Sequence, residues 1–459
     1  MEPSLPIWPH PLRRRFWKAG TLIALFIGAL LICDPFFSPP RKAVTRDMLG
    51  HDFLVFYAAG KLARTGQYHK LYDLGTIKSL EVAAGNSAGM SVGYGPWWNP
   101  PYAAWFFAPF TVMRFSTALI AWWLFGIAAV LVSAFLLARM LPGDWRNKGL
   151  VPLLVLISGP FWAVLTHAQN TYLTLLLLSI TATLWRARRP WLAGMVAGLL
   201  LYKPQHAAVV APVLILTLGW QAAGGLAMTS LGLIVTTMVT MPGALTDYLH
   251  KLPHTLTVMQ VLSDYSWDRH VTLKAFWRMW LQGTNAGQMY WTTWGLWWMS
   301  ELLAMRLLWK SVTAWRDDPA NLDRLIAASV VATPLLVPFF FDYDTLILAV
   351  PAVLCAADAL RNGLDRPLLR AWVFVFLLMY ASNPIAHHTS FNPAAPALLG
   401  LLAVIGRRRQ IAAAHAMRIE AEAELPRASF WYRWISSTQC SIVAAMAWCM
   451  LSMSEPSTK

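Results

Sequence analysis

A few polar residues stand out in a chain that is otherwise apolar. Asp52 begins the stretch His51-Asp52-Phe53-Leu54-Val55-Phe56-Tyr57, which runs on to Gly66. Phe53, Phe56, Tyr57 and Leu62 recur at helical spacing, and Gly66 closes the segment as a C′ glycine would. Asp52 therefore has an ordinary task, capping that helix, and a second one open to it, that of a carboxylate at the mouth of a membrane cavity. Further on come Gln169-Asn170, Lys203, Asp268-Arg269-His270, Asp342, Asp344 and His387-His388. Polar groups at membrane depth are expensive and often functional, and gathered on one face these would outline a hollow that opens outward. Each has a plain competitor. Lys203 can snorkel to headgroups, Gln169 and Asn170 can bond across helices, and Arg269 and His270 can be loop residues. Asp342 and Asp344 can cap the next helix or hold a divalent ion.

The elements that must position these residues are membrane helices. Of 459 residues, 57% are hydrophobic and only 13% are charged, against about 25% charged in a soluble domain. Repeated apolar runs near the length of a bilayer crossing predict an all-α integral membrane protein of about twelve spans. The first span is expected at 19–37, retained rather than cleaved, since no A-x-A site follows it. Residues 38–115 form a first outer loop whose Pro- and Trp-rich 94–113 part suits an interfacial or re-entrant segment. Spans follow near 116–138, 149–166 and 171–185. The run 191–219 reads as two short helices broken at Lys203-Pro204. After a span at 222–241, residues 242–289 form a second outer segment with short helices. Spans near 290–312, 324–341, 345–360, 368–385 and 392–406 complete the membrane domain, 1–409. Residues 410–459 are a tail with a further apolar run at 435–453.

Under this arrangement the short outer loops 167–170, 342–344 and 386–391 lack Lys and Arg, while most inner loops carry two or more. Both termini are then cytoplasmic, the polar groups extracytoplasmic, and the membrane the inner (plasma) membrane. The net charge of +15 follows from those loops. No basic stripe carries interleaved stacking residues, which excludes nucleic acid as a partner. No GxGxxG or Walker pattern appears, so a cytosolic nucleotide-sugar donor lacks a natural site. Cys33, Cys355, Cys440 and Cys449 form no CxxC pattern and read as packing residues.

Asp52-Phe53, Tyr57, Gly66 and Leu71-Tyr72-Asp73 resemble the first loop of the family 87 glycosyltransferases, polyprenol-phosphate-mannose-dependent mannosyltransferases of the GT-C class. The Tyr94 to Pro101 element, Gln169-Asn170, Lys203-Pro204 after a helix with Gly194 and Gly198, and Pro338 to Asp344 are similar too. The resemblance covers roughly residues 15–410. Two departures are Trp97-Trp98-Asn99 within the Tyr-Pro-Pro element and Ala168 where a glycine usually precedes the Gln.

The resemblance implies a GT-C-type bundle, a polyprenyl-phosphate-linked hexose as donor and an inverting displacement onto an envelope glycolipid or glycan. It makes Asp52 the catalytic base. Lys203, Arg269 and His270 become candidates for the donor phosphate, and Tyr57, Gln169, Asn170, Asp342 and Asp344 for sugar or acceptor contact. It requires no metal, although divalent-ion dependence stays open. Polyprenyl phosphate is already a good leaving group, so a base and phosphate-holding cations suffice. The alternatives are a transporter or flippase of lipid-linked saccharides, a class that often shows inverted repeats not found here, and a non-catalytic scaffold that would tolerate loss of Asp52.

Overall fold

The computed structural model describes residues 49–90, 95–143, 148–261 and 265–407, with Lys18, Thr21 and Leu22. The expected first span at 19–37, the tail from 410 and the apolar run 435–453 lie outside the described residues. Helices follow one another in the order α1 Phe53–Arg64, α2 Leu74–Ser87, α3 Tyr102–Phe107, α4 Phe115–Ala138, α5 Leu150–Leu156, α6 Gly159–His167, α7 Thr171–Arg186, α8 Pro190–Leu199 and α9 Pro204–Leu218. Then come α10 Trp220–Thr240, α11 Ala244–Gln260, α12 Leu273–Gln282, α13 Trp291–Asp317, α14 Leu322–Leu336, α15 Ala349–Asn362, α16 Arg366–Thr389 and α17 Ala394–Ile405. Among the described residues the only β pairing is one isolated bridge, His270 to Phe341.

This is a membrane protein, built among the described residues from helices of very different lengths. Among the described residues four stretches are long and apolar enough to span a bilayer: α4, α10, Asp342–Asn362 and α16; α5 and α6, bent by 55°, make a fifth if taken as one. Several other apolar runs are shorter or interrupted for local reasons. Ser158-Gly159-Pro160 breaks one run between α5 and α6, Lys203-Pro204 divides α8 from α9, and α13 carries Glu301, Arg306 and Lys310 along its length. Pieces such as α9 and α17, of 15 and 12 residues, fall short of the about 20 residues that a perpendicular crossing takes. The break at Lys203 lies where the sequence places it, and 102–112 is a short α-helix running into a 3₁₀ turn rather than a clean span.

Helix α14 is the axis. Every residue from Asp323 to Leu335 is buried, as expected of a helix that is apolar on all sides, and it packs on α9, α13, α15 and α17. Polar residues gather at both ends of α7 and of the segment Asp342–Asn362 that contains α15, and at the first turn of α14. At one end Arg186 meets Asp323 at 2.8 Å, Arg361 meets the same carboxylate at 2.8 Å, and Arg324 bridges Asp358 at 2.7 Å and Asp365 at 2.9 Å. Arg186, Arg324 and Arg361 are therefore all paired with aspartates. At the other end lie Thr171 and Asp344. Along α7 the two ends are 15 residues apart, roughly 22 Å at 1.5 Å per residue, with an apolar middle.

The first loop folds onto this bundle. Phe53 stacks on Trp122 of α4, ring centroids 5.7 Å apart, and Phe56 on Phe107 at 4.7 Å. At the end of α1 Gln67 N–H reaches the Leu62 carbonyl and Gly66 N–H the Ala63 carbonyl, with Gly66 at φ +72. That is a complete Schellman stop, as the glycine predicts. Close approach explains Gly194: a Cβ there would run into the backbone of α10 at Ala222.

Candidate active site

The carboxylate of Asp52 is set by a backbone splice. Helix α6 ends at Ala168, which takes a left-handed turn at φ +53. The last carbonyls of α6 accept from the chain before α1: Gly50 N–H bonds Thr166 O at 2.8 Å and Asp52 N–H bonds His167 O at 3.2 Å. These bonds satisfy two carbonyls that a helix end leaves open, and they lay Asp52 beside Gln169. Trp122 locks the turn by donating Nε1–H to Ala168 O at 2.8 Å.

Asp52 stands at the N-cap position of α1 but does not cap it; its side chain makes no capping bond. This corrects the expectation that it would do both tasks. Its oxygens are used elsewhere. Gln169 Nε2 donates to Oδ2 at 2.6 Å, and His51 Nδ1 lies 3.2 Å from Oδ1. Burial pushes the Asp52 carboxyl up, but the His51 bond and the nearby charges of His167, Arg269 and His51 outweigh it. The group is held well below the usual carboxylate range and is ionised at any working pH.

Tyr343 joins this acid to the cations. Gln169 Nε2 also donates to the Tyr343 hydroxyl at 3.1 Å. Lys203 Nζ lies 5.6 Å from the centre of the same ring and the Arg269 guanidinium 5.4 Å from it, within cation–π range. Each cation holds one aspartate. Lys203 Nζ donates to Asp344 Oδ1 at 3.0 Å, and Thr171 Oγ1 donates to the same oxygen at 2.7 Å. Arg269 forks onto Asp342, NH2 to Oδ1 at 3.0 Å and Nε to Oδ2 at 3.4 Å, and Asn383 adds a bond to Oδ2 at 3.1 Å. Asp342 and Asp344 thus serve different partners. Among the described residues no group of three or more His, Cys, Asp or Glu could hold a metal.

Two expected site residues are placed elsewhere. Tyr57 turns its hydroxyl to Met113 O at 2.8 Å and its ring to Phe115. His270 is fully buried. Phe340 N–H donates to its Nδ1 at 3.4 Å, which leaves the proton on Nε2 for the Tyr265 hydroxyl at 2.8 Å. Burial, then the charges of Lys274 and Arg269, push it down to about 3. It is a neutral strut behind Arg269 rather than a cation for a ligand. Asn170 is fully buried, and neither polar atom of its amide has a partner.

The sequence reasoning passed over Tyr343, although it stands between two expected site residues. It also passed over Glu81, whose signal was readable. The buried residues of α2 are Ile77, Glu81, Ala84 and Gly85, a helical stripe in which an acid occupies an apolar position.

Residues 97–338 match the sequence profile described as glycosyltransferase family 87. The chain belongs to that family. It is a membrane glycosyltransferase, and the matched stretch carries Gln169, Asn170, Lys203 and Arg269, while Asp52 precedes it and Asp342 to Asp344 follow it. No curated protein and no solved structure gives a significant match.

Proposed function

We propose that this family 87 member transfers a hexose, mannose in the first instance, from polyprenyl phosphate to a hydroxyl of an envelope glycolipid or glycan. The site faces outward from the plasma membrane of a twelve-span GT-C-type bundle with both termini in the cytoplasm. The observation that carries this reading is the Asp52 carboxylate, which is ionised, excused from capping and aimed by Gln169 toward the Tyr343–Arg269–Lys203 group.

In a single inverting displacement the acceptor oxygen forms its bond to C1 as the C1–O(phosphate) bond breaks. The acceptor proton passes to Asp52. A carboxylate with so low an affinity for protons accepts one only as that bond forms, when the hydroxyl has become acidic, and then releases it readily to water. The departing phosphate goes from a singly charged diester to a doubly charged monoester, and Lys203 and Arg269 can turn from Asp344 and Asp342 to that added charge, Lys as a point charge and Arg as a fork. The apolar tail of the donor is assigned to the segment at 99–113, whose Trp105 and Phe106 are exposed. Asn170, buried with an unused amide, is the natural contact for a sugar hydroxyl once the site is filled.

The test is transfer by the purified protein in liposomes, with labelled polyprenyl-phosphate-mannose and a membrane lipid extract as acceptor. Labelled glycolipid is expected. Movement of the donor across the bilayer with no transfer to any acceptor overturns this reading in favour of transport.

A further inference from the structure

The Lys203–Asp344 pair has a neighbour that makes no bond. His206 is fully buried, and neither of its ring nitrogens has a hydrogen-bond partner. Nε2 lies 3.6 Å from Asp344 Oδ1, just beyond bonding distance, and the ring packs on Phe340 with centroids 5.2 Å apart. An aliphatic side chain could occupy this place without burying two idle nitrogens, which cost the folded state free energy. The ring's polar atoms call for a second state of the site in which one of them is used.

The bonds of Asp344 show what that state is. Its Oδ1 accepts from Lys203 Nζ at 3.0 Å and from Thr171 Oγ1 at 2.7 Å. A carboxylate oxygen offers two lone-pair positions, so Oδ1 is full and Nε2 is kept out. Lys203 stands at the N-cap position of α9 and His206 in its first turn, and the two side chains converge on one oxygen. When Lys203 turns to a departing phosphate, a position on Oδ1 falls open. Asp344 is 2% exposed, and a buried carboxylate stripped of its cation is costly enough to draw Lys203 back. Nε2 needs to advance only about 0.7–0.9 Å to reach the about 2.7–2.9 Å of a charge-assisted bond. The other pair already has such donors in place: Asp342 is held by Asn383 at 3.1 Å and by Tyr343 N–H at 2.8 Å as well as by Arg269.

We propose that His206 is a positioning residue of the transfer reaction: its Nε2–H takes the place of Lys203 on Asp344 Oδ1 as Lys203 turns to the leaving phosphate, and yields it again when the lipid phosphate departs. The proposal rests on the transfer reading above, which supplies the phosphate. His206 touches neither sugar nor phosphate. It lowers the cost of freeing Lys203, so its effect belongs to the transition state and the lipid-phosphate product, where the phosphate charge is highest, and not to the bound donor. No proton changes hands, because a neutral imidazole with its hydrogen on Nε2 is donor enough.

The experiment uses the full chain in detergent, with isotope-labelled histidine and decaprenyl phosphate as the probe of the leaving group. The imidazole signal that His206→Gln lacks should move toward a hydrogen-bonded position when decaprenyl phosphate is added. In Lys203→Met it should stand there without any lipid. Transfer of labelled mannose to a membrane lipid extract should show kcat lowered about ten- to a hundredfold in His206→Leu, the worth of one hydrogen bond to a charged group. The KM for the donor should stay within about twofold, as for an interaction made only in the transition state. His206→Gln, whose amide can donate from the same place, should recover most of the rate. His206→Leu should unfold at no lower temperature than wild type, since the ring it removes is unpaired at rest, whereas a merely structural histidine would lose stability and rate together. A His206 signal unmoved by decaprenyl phosphate overturns the proposal, and so does a kcat unchanged in His206→Leu or not recovered in His206→Gln. If His206→Leu does not fold, the signal and the His206→Gln rate decide. A signal that moves in a wild type that transfers nothing would leave the exchange of donors standing and remove the transfer reading instead.

Discussion

Replacing Asp52 with asparagine separates chemistry from architecture because the structure gives the two effects different sizes. Asp52→Asn keeps the shape and removes the charge. On the structural side, the 2.6 Å bond from Gln169 loses its charge assistance. A hydrogen bond to a charged group contributes about 1.5–3 kcal/mol and a neutral one about 0.5–1.5 kcal/mol, so the difference is about 1–2 kcal/mol. The Gln169 amide can rotate to offer its oxygen, and relief of Asp52 desolvation offsets part of the remainder. Stability should therefore fall by no more than about 2 kcal/mol. On the chemical side, a positioned base contributes about 10²–10⁴-fold, or about 2.7–5.5 kcal/mol of barrier. Turnover should then drop at least a hundredfold in a variant that still folds and still binds polyprenyl-phosphate-mannose with near wild-type affinity. The assay is labelled-mannose transfer in liposomes, beside thermal unfolding in detergent. Turnover within tenfold of wild type, or a loss matched by collapse of the fold, refutes the assignment of Asp52 as base.

Three further outcomes are expected. Arg324→Ala should destabilise the detergent-solubilised protein by about 2–4 kcal/mol, since it takes the cation from the buried carboxylate of Asp358, which keeps its bond from Asn362, and from Asp365; thermal unfolding reads it, and a change under 1 kcal/mol would show the pairs to be idle. Ala168→Gly should stabilise by about 0.5–1 kcal/mol, because left-handed backbone costs an alanine about 1–2 kcal/mol and added unfolded-state freedom of glycine returns about half of that; a destabilised variant contradicts it. Stability should also depend on pH through Glu81. Its carboxyl is raised from 4.5 to about 8, so the folded state holds a proton that the unfolded chain has lost, and the stability present in full below 4.5 drains away as pH rises toward 8. His270, lowered from 6.5 to about 3, has the opposite slope between those values and offsets the Glu81 loss in the wild type from about pH 4.5 to 6.5. Between pH 6.5 and 8 the wild type should lose about 1.4 kcal/mol per pH unit relative to Glu81→Gln, as measured by denaturation at stepped pH, and parallel curves would sink the point.

What could be read from the chain itself was local. Helical spacing and a terminal glycine fix α1 and its stop at Gly66; Pro204 fixes the break at Lys203; the apolar runs fix a membrane helical bundle. These follow from backbone sterics and from the partition of apolar surface, and they need no partner. The charges needed one. Nothing in the chain pairs Arg186, Arg324 and Arg361 with an acid, yet they lie in a paired network, because Asp323, Asp358 and Asp365 reach them across helices. Length alone is ambiguous for the same reason. An apolar run shows that a segment avoids water, but whether it avoids it in lipid or inside a bundle depends on its neighbours, and α14 is buried on all sides by protein.

The site divides along the same line. Gln169, Lys203, Arg269, Asp342 and Asp344 could be picked out one by one, as polar residues too costly to leave idle in an apolar chain. Which of them meet, and through what, was decided by tertiary contacts: Gln169 takes Asp52 away from its helix, Tyr343 stands between Gln169 and both cations, and Tyr57 and His270 are turned elsewhere. A side chain's type sets the bonds it can make. Only the approach of segments 117 to 174 residues apart in the chain, as in the two bonds of Gln169, sets which of those bonds it does make.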